Sequence, residues 1–399
     1  MVIQPKTRGF ICTTSHPTGC DAHVKRQIDY AKQQPKIANA AKRVLVIGAS
    51  TGYGLASRIV ASFIGDADTI GVSFEKGASG KRTASAGWYN TAAFEKYATE
   101  AGYKALSLNG DAFSHEIKQQ TIDLIKQELG QVDLIVYSLA SPRRVHPDTG
   151  EVYNSALKTI GKPFSNKSVD PLKGEITQVE IGPANQEEIN NTVAVMGGED
   201  WQLWIDALLN ADAIADGAKT LAYSYVGPEL TFPIYREGTI GKAKEDLERT
   251  AAAITDKLNS LQGEAYVSIN KAVVTQASAA IPVVPLYISL LFKVMKQKGL
   301  HEDCIEQIAR LYHDFLYNPV AVPTDDSNRI RIDDWEMRED VQQAVFELWQ
   351  QVTQDNLMDI SDLAGYRKGF FNLFGFEMEG VDYEQDVDPV VAIPSIGVE

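Results

Sequence analysis

The sequence predicts an α/β fold, a doubly wound parallel sheet with insertions and extra C-terminal helices. Three observations predict it: β-rich apolar runs alternate with helical patterns up to about residue 275, the first run is apolar on both faces, and a glycine-rich turn follows it directly. That first run is 43–47 (RVLVI), near-continuous in apolar residues because helices cover both faces of a parallel sheet. Further strands are predicted at 69–74, 104–108, 132–137, 220–226 and 265–269. Helices are predicted between several of them, at 55–63, 92–101, 115–129 and 241–258.

Two stretches exceed a minimal unit and read as insertions. Residues 75–90 are rich in Gly, Ser and Lys, and 143–183 carry turn signals at Pro147-Asp148 and Lys162-Pro163 with a short alternating strand at 175–180. Beyond Ala279 the alternation stops, and helical periodicity at 303–316 and 339–353 predicts added helices. The apolar run 279–292 holds Pro282 and Pro285 and falls short of the ~20 residues that span a bilayer. One extended domain over 1–399 is expected, with a nucleotide-binding core at 43–275 and a substrate-pocket segment with C-terminal helices at 276–399.

Composition narrows the partners. Lys and Arg total 38 against 53 Asp and Glu, a net charge of −15, which is the wrong sign for general attraction to nucleic acid or anionic membrane. Cys12, Cys20 and Cys304 lack metal or disulfide spacing, and the N-terminal stretch has no apolar core of a signal peptide, so a cytoplasmic protein is expected. The six histidines show no ligand spacing, and no metal is assigned. Trp201 and Trp204, at helical spacing, read as packing residues.

The glycine-rich turn is Gly48-Ala49-Ser50-Thr51-Gly52-Tyr53-Gly54. Glycine permits the tight turn and close approach of backbone to a pyrophosphate, while the helix N-terminus turns free amides toward the anion. Its spacing departs from the plain G-x-G-x-x-G pattern, and an ordinary tight turn is the alternative reading. Glu75 ends the second strand, where a carboxylate accepts from adenosine ribose hydroxyls and repels a 2′-phosphate; this favours NAD over NADP unless Glu75 is only a solvated strand end. Asp111-Ala112 after the third strand, and Ser138 to Ser141 after the fourth, fall where adenine and nicotinamide contacts lie in this fold.

After the fifth strand come Tyr225, Tyr235 and, at the start of a helix, Lys244. An ammonium near a phenol favours the phenolate, and its other donors can hold a ribose. With eight residues between Tyr235 and Lys244, the GASTGYG turn and Glu75, the chain resembles the bacterial trans-2-enoyl-CoA reductase and FabV-type enoyl-acyl-carrier-protein reductase (NADH) family. The resemblance runs from KTRGFICTTSHPTGC (6–20) to GYRKGFFNLFGF (365–376), and shorter relatives in the short-chain dehydrogenase superfamily space the two residues more closely.

The resemblance implies a Rossmann-type fold of the short-chain dehydrogenase type, NADH as cofactor, and enoyl-acyl-carrier-protein or enoyl-CoA as substrate. It further implies that Gly48, Ala49, Ser50, Thr51, Gly52 and Tyr53 hold the pyrophosphate, with Phe74, Glu75, Asp111, Ala112, Leu139 and Ala140 lining the adenine and nicotinamide sides. Val273, Val274 and Thr275 would close over the cofactor, Lys244 would bind it, Tyr235 would be the proton donor and Tyr225 would hold the thioester carbonyl. Some relatives carry a second lysine after the first; here Glu245 stands there, and Lys242 is no obvious substitute.

In the expected reaction hydride reaches the β-carbon of a 2-enoyl thioester and the enolate charge is met by Tyr225 and Tyr235, the last step of fatty acid elongation. The 281–292 segment would wall the acyl pocket, or serve only as a core helix. A carrier-protein substrate would need a basic patch, for which Arg143, Arg144 and Lys293 are candidates. A reductase of free short-chain enoyl-CoA such as crotonyl-CoA is the alternative in the same class, a non-catalytic NAD-sensing module the alternative in another. A monomer is expected.

Overall fold

The computed structural model describes residues 1–9, 11–317 and 321–397, so Phe10 of the N-terminal signature lies outside the described residues. Strands β1 (Arg43–Ile47), β2 (Asp68–Ser73), β3 (Ala105–Asn109), β4 (Val132–Tyr137), β5 (Ile214–Ser224) and β6 (Glu264–Ile269) pair in parallel. A seventh strand, β7 (Arg329–Arg331), adds beside β6 from the stretch between the two expected C-terminal helices. The order β3-β2-β1-β4-β5-β6-β7 reverses direction between β1 and β4. Such a reversal opens a crevice at the carboxyl ends of those two strands, where nucleotides bind in this architecture.

Alternation within the strands assigns the two layers. Val44, Val46, Leu134 and Val136 face one core with Ile28, Ile59 and Ile308 from helices Pro17–Gln33, Gly52–Phe63 and Cys304–Arg310. Leu45, Ile47 and Ile135 face the other with Ile122, Trp204 and Ile254 from helices His115–Glu128, Glu199–Asn210 and Thr239–Leu258. Each fully buried aliphatic side chain contributes roughly 1.5–3 kcal/mol, which explains why the strands read as apolar on both sides. Trp201 and Trp204 are core residues, their indole N–H groups donating to Thr220 Oγ1 and to the Ala112 carbonyl.

A third core lies against the carboxyl edge of the sheet. Its centre is helix Val284–Gln297, packed by helices Glu339–Gln351 and Leu363–Asn372 and by the hairpin Phe164–Asp170/Glu175–Ile181; Tyr235, Ala272 and Val274 belong to the same cluster. The 143–183 excursion is thus two hairpins, the first being Arg143–Val145/Val152–Asn154. The 75–90 excursion is shorter than expected, because its helix begins at Ala86 and runs to Glu100. No helix among the described residues is long and apolar enough to cross a membrane.

Candidate active site

The crevice between β1 and β4 is built around Gly48. It sits at φ +84°, and a Cβ there would stand 2.2 Å from the Ser138 carbonyl oxygen, so only glycine lets the two strand ends approach this closely. Helix Gly52–Phe63 opens from this turn with no side-chain cap on its first amides among the described residues. Across from it, the Thr275 methyl lies 3.8 Å from where a Cβ of Gly52 would sit, and Thr275 itself caps the short helix Gln276–Ala279. Tyr53 turns the other way, donating from its hydroxyl to the Lys271 carbonyl at 2.8 Å. The turn and the 273–275 segment therefore face each other over the crevice.

Glu75 is held in place by residues on three elements. Its carboxylate accepts from Ser50 Oγ at 2.6 Å and Ser85 Oγ at 2.5 Å; its backbone N–H donates to Asn109 Oδ1, and Asn109 Nδ2 donates back to its carbonyl. A carboxylate has about four acceptor positions, so two remain for ribose hydroxyls. Phe74 beside it is 75% exposed, an aromatic face open to a flat base. The Asp111–Ala112 loop is pinned from below: Lys118 Nζ donates to the Ala112 and Phe113 carbonyls and to Asp200 Oδ1, and Tyr137 donates to Asp200 Oδ2. Leu139 and Ala140, at the end of β4, are half-buried and exposed respectively. These residues fit a dinucleotide: a glycine turn at a helix N-terminus, a fixed carboxylate and an open aromatic ring.

The structure brings two of the expected site residues into contact. The rings of Tyr225 and Tyr235 meet edge to face, centroids 4.9 Å apart. The Tyr235 hydroxyl makes no hydrogen bond among the described residues, and burial, then the charge of Glu336, raise its pKa above the ordinary phenol value. Both effects favour the protonated phenol, the form that donates. Lys244, on helix Thr239–Leu258, also has no hydrogen bond or ion pair among the described residues; burial draws its ammonium down to about 8. Lys242 is exposed and bound to Glu245 at 2.7 Å, which removes it as a substitute for a second lysine.

Glu336 was not anticipated. It lies just past β7, is 0% exposed, and accepts from the Tyr225 hydroxyl at 2.9 Å, the Tyr287 hydroxyl at 2.6 Å and the Ala272 amide at 2.7 Å. Burial pushes its carboxyl above the usual range. Tyr287 belongs to helix Val284–Gln297, in which Ile288, Leu291 and Phe292 are also buried, so the apolar run is a wall next to the tyrosine pair. Arg144, by contrast, cannot join a basic surface patch: it is buried, donating to the Ala194 carbonyl and Glu199, while Arg143 is exposed and Lys293 half-buried. No group of three or more metal-ligating side chains occurs among the described residues.

A nucleotide crevice at the switch point, with a buried tyrosine pair at the carboxyl edge of the sheet, defines a nicotinamide-dependent reductase of the doubly wound class. Three family models cover the chain: the NAD(P)H binding domain of trans-2-enoyl-CoA reductase over residues 2–80, the trans-2-enoyl-CoA reductase catalytic region over 82–317, and an enoyl reductase FAD binding domain over 324–387. The chain belongs to the trans-2-enoyl-CoA reductase family.

Among its relatives, an enoyl-[acyl-carrier-protein] reductase [NADH] of Flavobacterium johnsoniae is 63% identical, covering 99% of this chain and 100% of its own. One of the same name from Coxiella burnetii is 60% identical over 100% of this chain and 98% of its own. The crystal structure of Treponema denticola trans-2-enoyl-CoA reductase in complex with NAD superimposes with a TM-score of 0.94 at 51% identity, covering 97% of this chain and 98% of that one.

The third model carries a flavin in its description. In residues 324–387 the side chains of Val341, Trp349, Leu363, Tyr366 and Phe370 pack into the core around helix Val284–Gln297, and Glu336 is taken by two tyrosines. Those inward faces are spent on protein contacts and do not fit a flavin.

Proposed function

We propose that this chain reduces the carbon–carbon double bond of trans-2-enoyl thioesters with NADH, acyl-carrier-protein thioesters being its substrate in fatty acid elongation. The observation that carries the reading is the Tyr225–Tyr235 pair at the carboxyl edge of β5, between the glycine-rich crevice and the apolar wall of helix Val284–Gln297. NADH, when bound, supplies the hydride. Residues 50–53 present backbone amides to its pyrophosphate, while Gly48 and Ala49 shape the turn with their own amides donated to the Val72 carbonyl; Glu75 accepts from the adenosine ribose beside Phe74, and Asp111, Ala112, Leu139 and Ala140 line its flanks. Val273, Val274 and Thr275 cover it, and Lys244 holds the nicotinamide ribose. As charge develops on the thioester oxygen, Tyr225 and Tyr235 donate to it, stabilising what the ground state lacks; Tyr235, protonated at neutral pH, is the proton donor.

In this reading the chain works as one extended unit, with 43–275 holding the nucleotide and 276–399 walling the substrate. The three free cysteines and acidic surface support a cytoplasmic protein, and we place it there as a monomer. Free enoyl-CoA is the second reading, favoured by the burial of Arg144, which thins the cationic surface an acidic carrier would meet. Initial rates of NADH oxidation with matched-chain enoyl-CoA and enoyl-acyl-carrier-protein decide it: a higher kcat/KM for the carrier-linked substrate upholds the first reading, and a higher value for CoA replaces it with the second.

A further inference from the structure

We propose that Glu336 is the positioning residue of the tyrosine pair: its carboxyl group decides which way the Tyr225 hydroxyl points, and frees that hydroxyl to donate to the thioester oxygen when it carries a proton itself. The inference rests on Tyr225 facing the thioester and adds a residue from a different part of the chain.

The hydrogen bonds leave little choice. Oε2 of Glu336 accepts from the Ala272 amide, which favours it as the carbonyl oxygen of a protonated carboxyl; the proton then sits on Oε1, which meets two hydroxyls, Tyr225 at 2.9 Å and Tyr287 at 2.6 Å. Gln342 Nε2 donates to the Tyr287 oxygen at 3.1 Å and to the Glu336 carbonyl at 2.7 Å, which takes up an acceptor site of that oxygen and favours Tyr287 as a donor toward Oε1, its 2.6 Å neighbour. Tyr225 is then the partner that can reverse. With Glu336 ionised, the Tyr225 proton points at Oε1 and away from the pocket. With Glu336 protonated, Oε1 donates to the Tyr225 oxygen and the phenolic proton is released to the substrate side. No bond is made or broken at Glu336; hydride and proton follow the course already described.

The surroundings favour the protonated form. Glu336 is fully buried, and the charged or titratable groups acting on it or feeling its charge are Tyr225, Tyr235, Tyr287, Tyr53, Lys271 and Asp333. Lys271 is the cation among them, and its ammonium donates to the Ala272 carbonyl rather than to the carboxylate. Burial and the Asp333 charge raise the carboxyl above its usual range, against the stabilising pull of Tyr287, Ala272 and Lys271.

The test uses the full-length enzyme with NADH and crotonyl-CoA. Glu336→Ala is expected to lower kcat by about tenfold, the size of one hydrogen bond that strengthens on a charged oxygen, with NADH affinity unchanged. Glu336→Gln is expected to restore most of it, because its amide can give oxygen to Ala272 and one N–H to Tyr225, with the Tyr287 hydroxyl turned to accept from the second N–H. In a Tyr225→Phe background neither change should lower kcat further. Wild-type kcat in Glu336→Ala, a folded Glu336→Gln no better than Glu336→Ala, or losses that add fully to that of Tyr225→Phe overturn the inference. If Glu336→Ala does not fold, a large loss of kcat in folded Glu336→Gln overturns it and near-wild-type kcat upholds it. Wild-type kcat in Tyr225→Phe alone defeats the placement of Tyr225 itself, a separate failure.

Discussion

Replacing Glu75 by alanine is expected to narrow the preference for NADH over NADPH by about a hundredfold, a magnitude that follows from how the carboxylate is held. Ser50 and Ser85 each donate to it, Asn109 brackets its backbone, and a Cβ on Gly87 would stand only 2.0 Å from Oε1. The charge therefore cannot swing away from a 2′-phosphate. At about 4 Å, one pair of unit charges repels by about 1 kcal/mol in water and about 4 kcal/mol at an effective dielectric of about 20. Glu75 is half-buried with the exposed Lys76 beside it, so the low end applies, about 2 kcal/mol for a phosphate of charge about −2. Losing the acceptor for ribose hydroxyls weakens NADH by about 1 kcal/mol more. Together, about 3 kcal/mol is about two powers of ten in the ratio of kcat/KM values. Steady-state rates with each nucleotide and one enoyl thioester measure that ratio directly. An unchanged ratio in a folded Glu75→Ala enzyme refutes the argument, and Gly87→Ala, which dislodges the same carboxylate, should shift the ratio in the same direction.

Three further outcomes follow from the geometry. Gly48→Ala puts a Cβ 2.2 Å from the Ser138 carbonyl at a positive φ; urea unfolding should show a loss of about 2–4 kcal/mol, with weaker NADH binding, and unaltered stability would contradict the close approach. Lys118→Ala strands the buried Asp200, both being 2% exposed in their ion pair, and should cost about 3–5 kcal/mol by the same measurement; a loss below about 1 kcal/mol would mean the pair is not held as described. Lys244, with its pKa drawn down to about 8 by burial, loses its charge as pH rises through that value, so NADH affinity should fall from about pH 8 upward. In the sign of linkage, the folded state binds fewer protons there than the unfolded chain, so this group's contribution to stability rises between about pH 8 and 10.5 even as binding weakens. Titrations of Lys244→Met should show weak binding without that step, and an identical step in the variant would remove Lys244 from the cofactor site.

What the sequence discloses here is what is local. The strand, glycine turn and helix of 43–63 are contiguous, and the ends of β1 and β4 were legible to the residue because burial on both faces leaves an unbroken apolar run. The start of helix Ala86–Glu100 was not, since Gly87 in its first turn reads as loop; that glycine is there because Glu75 leaves no room for a side chain. Arg144, in a short polar strand, reads as surface until the hairpin folds it against Glu199 and the ring of Phe113. Lys118 and Asp200 each read as an ordinary charge in the first turns of a helix, and only the fold joins them. Glu336 carries no periodic or motif signal. It reaches Tyr225, 111 positions earlier, because β7 extends the sheet beyond β6 and delivers the following turn to the site. The charge of Glu336 on the Tyr235 phenol has the same origin, since it too arrives from a part of the chain far away in sequence.

The most direct test of the account compares NADH oxidation by the wild-type enzyme and Tyr235→Phe, using an enoyl thioester and protein shown to be folded and to bind NADH. The account predicts rapid oxidation by the wild type, and in Tyr235→Phe a fall in kcat of about a hundredfold or more with NADH affinity unchanged. Equal turnover by the two proteins, or no oxidation of NADH by the wild type with any enoyl thioester, would contradict it.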